Sequence, residues 1–115
     1  MYELQIYRHA QKLVKDVYIL LANESRVKND YAVADQLRRA ALSVMLNLAE
    51  GSALPAKWFN KYLFIANASA HEVYALLQMI EEIFKIDTQE LQREYLYLGK
   101  RITSLRKVLM KKINH

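Results

Sequence analysis

The chain has 115 residues, 53% of them hydrophobic, with two glycines, one proline and no cysteine. So few chain breakers favour long helices over a strand-rich fold, and the length fits one domain over residues 1–115. Without cysteine the chain forms no disulfide and no thiolate zinc site. No apolar run approaches the ~20 residues of a membrane span. Residues 1–5 lack the layout of a signal peptide. We therefore expect a cytoplasmic protein without a membrane role.

The net charge is +5, and much of the positive charge lies near the end of the chain. Arginine and lysine there have no acidic neighbour, because the last acidic residue is Glu94. Such a surface favours a polyanionic partner. Basic side chains also coat solvated helix faces that bind nothing, so both interpretations stay open. The six basic residues after Glu94 are Lys100, Arg101, Arg106, Lys107, Lys111 and Lys112.

The first predicted helix covers residues 2–21. Its apolar residues Ile6, Ala10, Leu13 and Val17 alternate spacings of four and three, which is typical of a helix that packs nearly parallel to its neighbours. Residues 22–30 are polar and interrupt the apolar period. We therefore predict that they form the first connection.

The second predicted helix covers residues 31–50, and Gly51 follows at the position of a left-handed C-terminal cap. Its apolar residues occupy two sides, because Leu42 and Leu46 lie nearly opposite the main apolar stripe. A helix that is apolar on two sides needs two packing partners. The sequence therefore predicts self-assembly, with Leu42, Leu46 and the amphipathic Trp58 in the interface.

A polar line runs along the same helix between its apolar sides. One interpretation is a buried hydrogen-bond network that fixes helix register, and the other is a contact site for a ligand or RNA. Small residues alternate with this line and suit close helix packing, which favours the structural interpretation. Arg38 points away from the line, so we predict that it is exposed and available to phosphate. The predicted network comprises Arg39, Ser43, Asn47, Glu50, Ser69 and Glu72.

The third predicted helix covers residues 56–84 and begins after Pro55, which suits the first turn of a helix. A short link follows, with Asp87 or Thr88 as the N-cap of the fourth helix.

The fourth helix has the cleanest separation of faces. A heptad seam runs from Leu91 to Leu109, and a stripe of basic residues lies on the opposite side. Four long helices with short connections predict an all-α, up-down-up-down antiparallel four-helix bundle. The basic stripe contains Arg93, Lys100, Lys107 and Lys111.

Motifs for catalysis are missing from the sequence. No histidine follows a glutamate by three residues, as a di-iron bundle requires. His71-Glu72 is not continued into a zinc-binding His-Glu-x-x-His motif. Gly51 and Gly99 stand alone, so no glycine-rich phosphate loop exists. We therefore expect no catalytic residues, no metal and no cofactor, and the protein is not expected to be an enzyme.

A longer pattern runs through residues 36–72. It begins Gln-Leu-Arg-Arg-Ala-Ala, continues to Asn-Leu-Ala-Glu-Gly at residues 47–51, and extends through Phe59, Leu63 and Ile65-Ala66 to Ser69 and Glu72. In this pattern the chain resembles the bacterial four-helix-bundle family of 23S rRNA intervening-sequence proteins, which is related to accessory variability proteins of diversity-generating retroelements.

The resemblance implies a homo-oligomer, a pentameric ring or barrel, whose basic faces join around the assembly. Such an assembly would bind structured RNA or an RNA–DNA hybrid, with a reverse transcriptase as a further partner. The alternative is a pure protein–protein interaction module whose charge only aids solubility. In the nucleic-acid hypothesis the phosphate contacts come from Arg38, Lys100, Arg101, Lys107, Lys111 and Lys112.

Overall fold

The computed structural model describes residues 2–114, and every regular element in that range is an α-helix. The molecule measures 51 × 21 × 20 Å. Within these residues no helix combines the length and the apolar character that a bilayer crossing requires. The helices are α1 (Tyr2–Asn23), α2 (Ser25–Asn29), α3 (Tyr31–Ser52), α4 (Ala56–Phe84) and α5 (Gln89–Ile113).

The four long helices surround one core. Helix α1 contacts α3 and α5, and α4 contacts the same two helices, so α3 and α5 lie diagonally opposite each other. The predicted seams are confirmed, because Leu13, Leu63 and Ile102 are completely buried. Burial of such a side chain contributes about 1.5–3 kcal/mol to the free energy of unfolding. Polar contacts between α3 and α4 join Gln36 to Glu72, Ser43 to Ser69, and Glu50 to Tyr62.

The first connection differs from the prediction. Residues 22–30 contain the short helix α2, whose Val27 is fully buried. A helix of five residues holds a single buried apolar position, so no period can reveal it in the sequence. Arg26 of α2 donates to the carbonyl of Phe84, at the C-terminal end of α4 where helix carbonyls lack partners.

The prediction of a left-handed cap at Gly51 is wrong. Gly51 lies inside α3, and neither glycine has a positive φ. Lys85 has that conformation instead (φ 57°, ψ 46°) and ends α4. Gly51 is where α3 and α4 pack closely: an added Cβ would lie 2.7 Å from the Tyr62 Cβ and 2.9 Å from the Phe59 Cδ1. A glycine is required there by the close approach and not by a turn.

The start of α5 uses both predicted residues in different ways. Thr88 occupies the N-cap position, but its hydroxyl donates to the carbonyl of Leu77 in α4 at 3.0 Å. The Asp87 carboxylate accepts from the backbone N–H of Gln89 at 2.9 Å. Thr88 therefore joins α5 to α4, while Asp87 satisfies a free N–H at the helix start.

Candidate nucleic-acid interface

Three lysines form an exposed basic stripe along α5. Lys100, Lys107 and Lys111 fall within about 40° of one another around the helix, at 100° per residue. All three are exposed to solvent. Lys100 and Lys111 are eleven positions apart in the chain, which is about 17 Å along the helix axis. The stripe therefore presents a row of cations with no acidic residue of α5 between them.

Two adjoining shallow grooves run beside this stripe. His71 of α4 helps to line the first, and the described residues that line the second all belong to α5. One has a volume of about 480 Å³ and the other of about 450 Å³. They share Thr103 and Lys107, so they form one continuous surface, which we call the α4–α5 seam. The seam contains His71, Leu96, Gly99, Lys100, Thr103, Ser104, Arg106, Lys107, Met110 and Lys111.

An exposed aromatic ring borders the seam on its α4 side. Phe64 is 59% exposed, and the Arg106 guanidinium carbon lies 5.0 Å from the centre of its ring. The Nε of Arg106 donates to the Asn60 Oδ1 at 3.1 Å, and the Asn60 amide donates to the Met110 sulfur at 3.2 Å. These contacts hold the guanidinium beside the ring. The arrangement combines cations, a shallow groove and an exposed phenyl ring, which are features of single-stranded nucleic-acid sites.

Phe64, Asn60 and His71 were not predicted as site residues from the sequence. Their spacing of four and seven residues places them on one side of α4, and this alignment can be seen in the sequence. The side chains of α5 that face them cannot be assigned from a helical period alone. Only the packing of α4 against α5 shows that Asn60 and Phe64 contact Arg106.

The six residues predicted to contact phosphate do not lie together. Lys100, Lys107 and Lys111 border the α4–α5 seam. Arg101 is half-buried toward α1, where its Nη1 lies 3.1 Å from the His9 Nδ1 and its guanidinium 5.5 Å from the Tyr97 ring centre. Adjacent residues on a helix are about 100° apart, so Arg101 cannot share the face of Lys100.

Lys112 and Arg38 are also separated from the seam. Lys112 lines a different pocket together with Glu3 and Tyr7 of α1. Arg38 is half-buried on α3, the helix diagonally opposite α5, so it is less open to solvent than predicted and lies on another side of the bundle. At 100° per residue Arg38 lies about 40° from Ala34 and about 60° from Ala41, which are both fully buried, so part of its side chain lies against the bundle.

His9 links α1 to α5 through a chain of polar contacts. Arginine can only donate, so the His9 Nδ1 accepts from Arg101 and the Nε2 carries the proton toward the Glu94 carboxylate at 3.3 Å. Burial lowers the pKa of His9 below its ordinary value of 6.5, and the Arg101 and Lys12 charges act in the same direction. The Glu94 carboxylate opposes the shift. The neutral imidazole is the form that fits this site.

We expect acid to weaken the protein through His9. Above about pH 6.5 the imidazole is neutral in the folded and unfolded states and has no effect on stability. Below about pH 6.5 the unfolded chain binds the proton first, so the free energy of unfolding falls until the lowered folded pKa is passed. Urea unfolding at about pH 7.5 and 5.5 should show a larger loss for the wild type than for His9→Gln. Equal losses in the two proteins would contradict this role of His9.

The centre of the predicted polar network is present between α3 and α4. The Ser43 and Ser69 hydroxyls lie 2.7 Å apart. The Asn47 amide donates to the Ser43 hydroxyl at 3.1 Å and to the Ser43 carbonyl at 2.8 Å. These half-buried contacts satisfy polar groups where the two helices pack, as the structural interpretation requires.

The other predicted members of the network, Arg39, Glu50 and Glu72, do not join this buried cluster, so that part of the prediction is wrong. The Arg39 side chain is 74% exposed and lies 3.8 Å from Asp35 of the same helix. Glu72 accepts from the exposed Gln36 amide at 2.7 Å. Glu50 accepts from the Tyr62 hydroxyl at 3.4 Å. These charged groups lie far enough around α3 and α4 to reach solvent, which avoids the cost of burying charge.

The residues predicted for an oligomer interface differ in exposure. Leu46 on α3 and Trp58 on α4 are 55% and 51% exposed, while Leu42 is half-buried. The outer side of α4 carries further exposed apolar residues, namely Ile65, Met79 and Ile83. Lys61 lies 5.7 Å from the Trp58 ring centre. The interface stays a prediction, with exposed apolar side chains on both helices.

The histidine and acidic side chains of residues 2–114 are the candidates for metal binding or acid–base chemistry. No group of three His, Asp or Glu side chains in this range is placed to hold a metal ion. Two buried polar atoms in the same range lack a hydrogen-bond partner, the Tyr95 hydroxyl and the Asn67 Oδ1. Burial raises the pKa of Tyr95, so its phenol stays protonated. The Asn67 Oδ1 lies beside Gly99, which lines the larger groove of the α4–α5 seam, whereas the Tyr95 hydroxyl lies in the packing between helices.

Comparison with known proteins agrees with the helical layout. The sequence model of the 23S rRNA-intervening sequence protein family matches residues 2–111. The fold is similar to that of a protein of unknown function from the S23 ribosomal protein family of Bacteroides thetaiotaomicron. The TM-score is 0.83 at 16% identity, and the likeness covers 93% of this chain and 99% of that one. No curated protein matches the sequence.

Proposed function

The chain belongs to the family of 23S rRNA-intervening sequence proteins, and from this premise we propose a non-enzymatic role in binding nucleic acid. The protein is an up-down-up-down antiparallel bundle that assembles into a homo-oligomer. It binds structured RNA or an RNA–DNA hybrid through phosphate contacts. The opposed numbering of the contacts between α3 and α4 supports the antiparallel order.

The α4–α5 seam is the observation that carries this proposal. Lys100, Lys107 and Lys111 stand in one exposed row along its edge. Thr103 and Ser104 line the seam between the lysines and supply neutral hydrogen-bond donors. Contacts to phosphate from lysine and hydroxyl groups position a nucleic acid without reading its bases. The seam therefore recognises charge and shape.

Self-assembly would strengthen these contacts. A single seam offers few cations, so its affinity for phosphate is weak at physiological salt. Several copies in one oligomer present the same seam repeatedly, and linked weak contacts give a tight complex. The exposed apolar residues Leu46 and Trp58 support an interface between copies. By resemblance the assembly is a pentamer that serves as an accessory scaffold for a reverse transcriptase.

A protein-interaction module is the second candidate. The exposed apolar side chains of α4, including Trp58 and Met79, favour this function, because monomers rarely leave so many large apolar residues in solvent. In that case the basic stripe would only keep the protein soluble. Oligomerisation does not distinguish the two candidates, since both predict it. Nucleic-acid binding does distinguish them.

The test is fluorescence anisotropy of the purified protein against a structured RNA and a matching DNA duplex. We expect the protein to bind. The logarithm of the association constant should fall linearly with the logarithm of the salt concentration between about 50 and 300 mM, since phosphate contacts release counterions. The slope gives the number of phosphates that are neutralised. Absence of binding to either polymer at the lowest salt would reject the nucleic-acid function and favour the interaction module.

A further inference from the structure

We infer that the α4–α5 seam holds an unpaired base of an RNA loop, which stacks on the ring of Phe64 next to Arg106. The inference rests on the proposed function and specifies which part of a structured RNA enters the seam. It requires a ring that is open to solvent, a neighbouring cation in a fixed position, and phosphate-binding groups within reach.

The exposure of Phe64 is the first requirement. More than half of its side chain is open to solvent, although α4 buries Leu63 and Ala66 completely on its core side. Phe64 therefore contributes little to the core for its size. An exposed phenyl ring at the edge of a basic groove offers a surface on which any base can stack.

The fixed position of Arg106 is the second requirement. The Nε of Arg106 donates to the Asn60 Oδ1, and this contact holds the guanidinium carbon 5.0 Å from the Phe64 ring centre. Arg106 is half-buried, so its side chain has already lost much of its freedom in the folded protein. A base that enters the site meets a ring and a cation that need no reordering, which favours binding.

Phosphate-binding side chains within reach of the ring are the third requirement. Lys107 and Lys111 are one helical turn apart, about 6 Å, and line the same groove as Arg106. A strand that follows this groove keeps its phosphates near the lysines while one base turns toward Phe64. A base inside a duplex has both faces covered by its neighbours, so only an unpaired base can reach the ring.

Two other exposed aromatic residues lack this combination. Trp58 lies near the N-terminal end of α4, and Lys61 from the same helix lies over its ring. Tyr97 faces Arg101, which is engaged by His9. Phe64 has its cation on the neighbouring helix, at the edge of the lysine row. Tyr31 is 78% exposed at the start of α3, a helix that does not contact α5, and it serves as the matched control for Phe64.

The test uses an RNA hairpin with 2-aminopurine in its loop and a blunt RNA duplex of the same length. We expect Phe64→Leu to weaken hairpin binding by about 5- to 100-fold, the range for losing one stacked base. It should also remove the quenching of 2-aminopurine, while duplex affinity and the salt slope stay at wild-type values. Phe64→Trp should retain both hairpin affinity and quenching. Tyr31→Leu should behave as the wild type.

The outcomes separate this inference from the proposed function. Loss of hairpin affinity in Phe64→Leu, restored in Phe64→Trp, supports stacking. Wild-type hairpin binding and quenching in Phe64→Leu would overturn the inference, and the proposed function would stand if reversal of Lys107 and Lys111 still abolished binding. If the wild type binds neither RNA at low salt, the proposed function fails and the inference fails with it.

Discussion

Lys107→Glu combined with Lys111→Glu is expected to weaken RNA binding by about 50- to 100-fold at about 100 mM salt. Each lysine that neutralises a phosphate contributes close to one unit to the salt slope, so the slope should fall by about two. Both side chains are exposed and neither packs in the core, so folding should be unaffected. Anisotropy across a salt series measures the affinity and the slope together.

The matched control reverses two lysines away from the seam. Lys15 lies on the outer side of α1 and Lys28 on α2, and both are exposed. Lys15→Glu with Lys28→Glu changes the net charge by the same amount and should leave most of the affinity and the slope intact. If both double variants lose the same affinity, binding depends on net charge and not on the α4–α5 seam.

Gly51→Ala is expected to lower the free energy of unfolding by about 1–3 kcal/mol, the usual range for overpacking. Alanine is the better helix former by about 1 kcal/mol, so a gain would be expected if space were available. The new Cβ would lie 2.7 Å from the Tyr62 Cβ, which is attached directly to the α4 backbone. Relief therefore requires α3 and α4 to separate.

Gly99→Ala provides the control for this substitution. A Cβ at Gly99 would meet the Asn67 Oδ1 at 3.1 Å, and this atom is the end of a side chain that can rotate. We expect a change within about 0.5 kcal/mol, because the helix-forming gain of alanine offsets the adjustment. Urea unfolding at one protein concentration compares the variants, since self-association shifts apparent stability. If the Gly51→Ala protein is as stable as the wild type, α3 and α4 do not pack closely enough at Gly51 to exclude a Cβ.

Helix positions were predictable because they depend on short-range patterns. The bounds of α4 agree with the prediction of residues 56–84, and α3 differs from its prediction by two residues at one end. The period of the apolar residues, Pro55 before α4 and Thr88 before α5 are all local signals. Helix α2 was not predicted, because five residues are too few to show a helical period of apolar residues.

The candidate site was predictable only in part. The row of Lys100, Lys107 and Lys111 follows from spacing on one helix. Lys112 and Arg101 were assigned to the same site because they are close in sequence, although they lie on other sides of α5. Phe64 was absent from the prediction, because its candidate role depends on its contact with Arg106, which is 42 positions away in the chain.

The sequence by itself determined the all-helical class, the buried seams and the row of lysines, because each depends on residues within a few helical turns. Tertiary structure alone decided which helix faces meet. That pairing engages Arg101 with His9 across 92 positions, brings Arg106 over Phe64, and requires a glycine at position 51. A helical period specifies which side of a helix is apolar, but it carries no information about which neighbour covers that side or how closely.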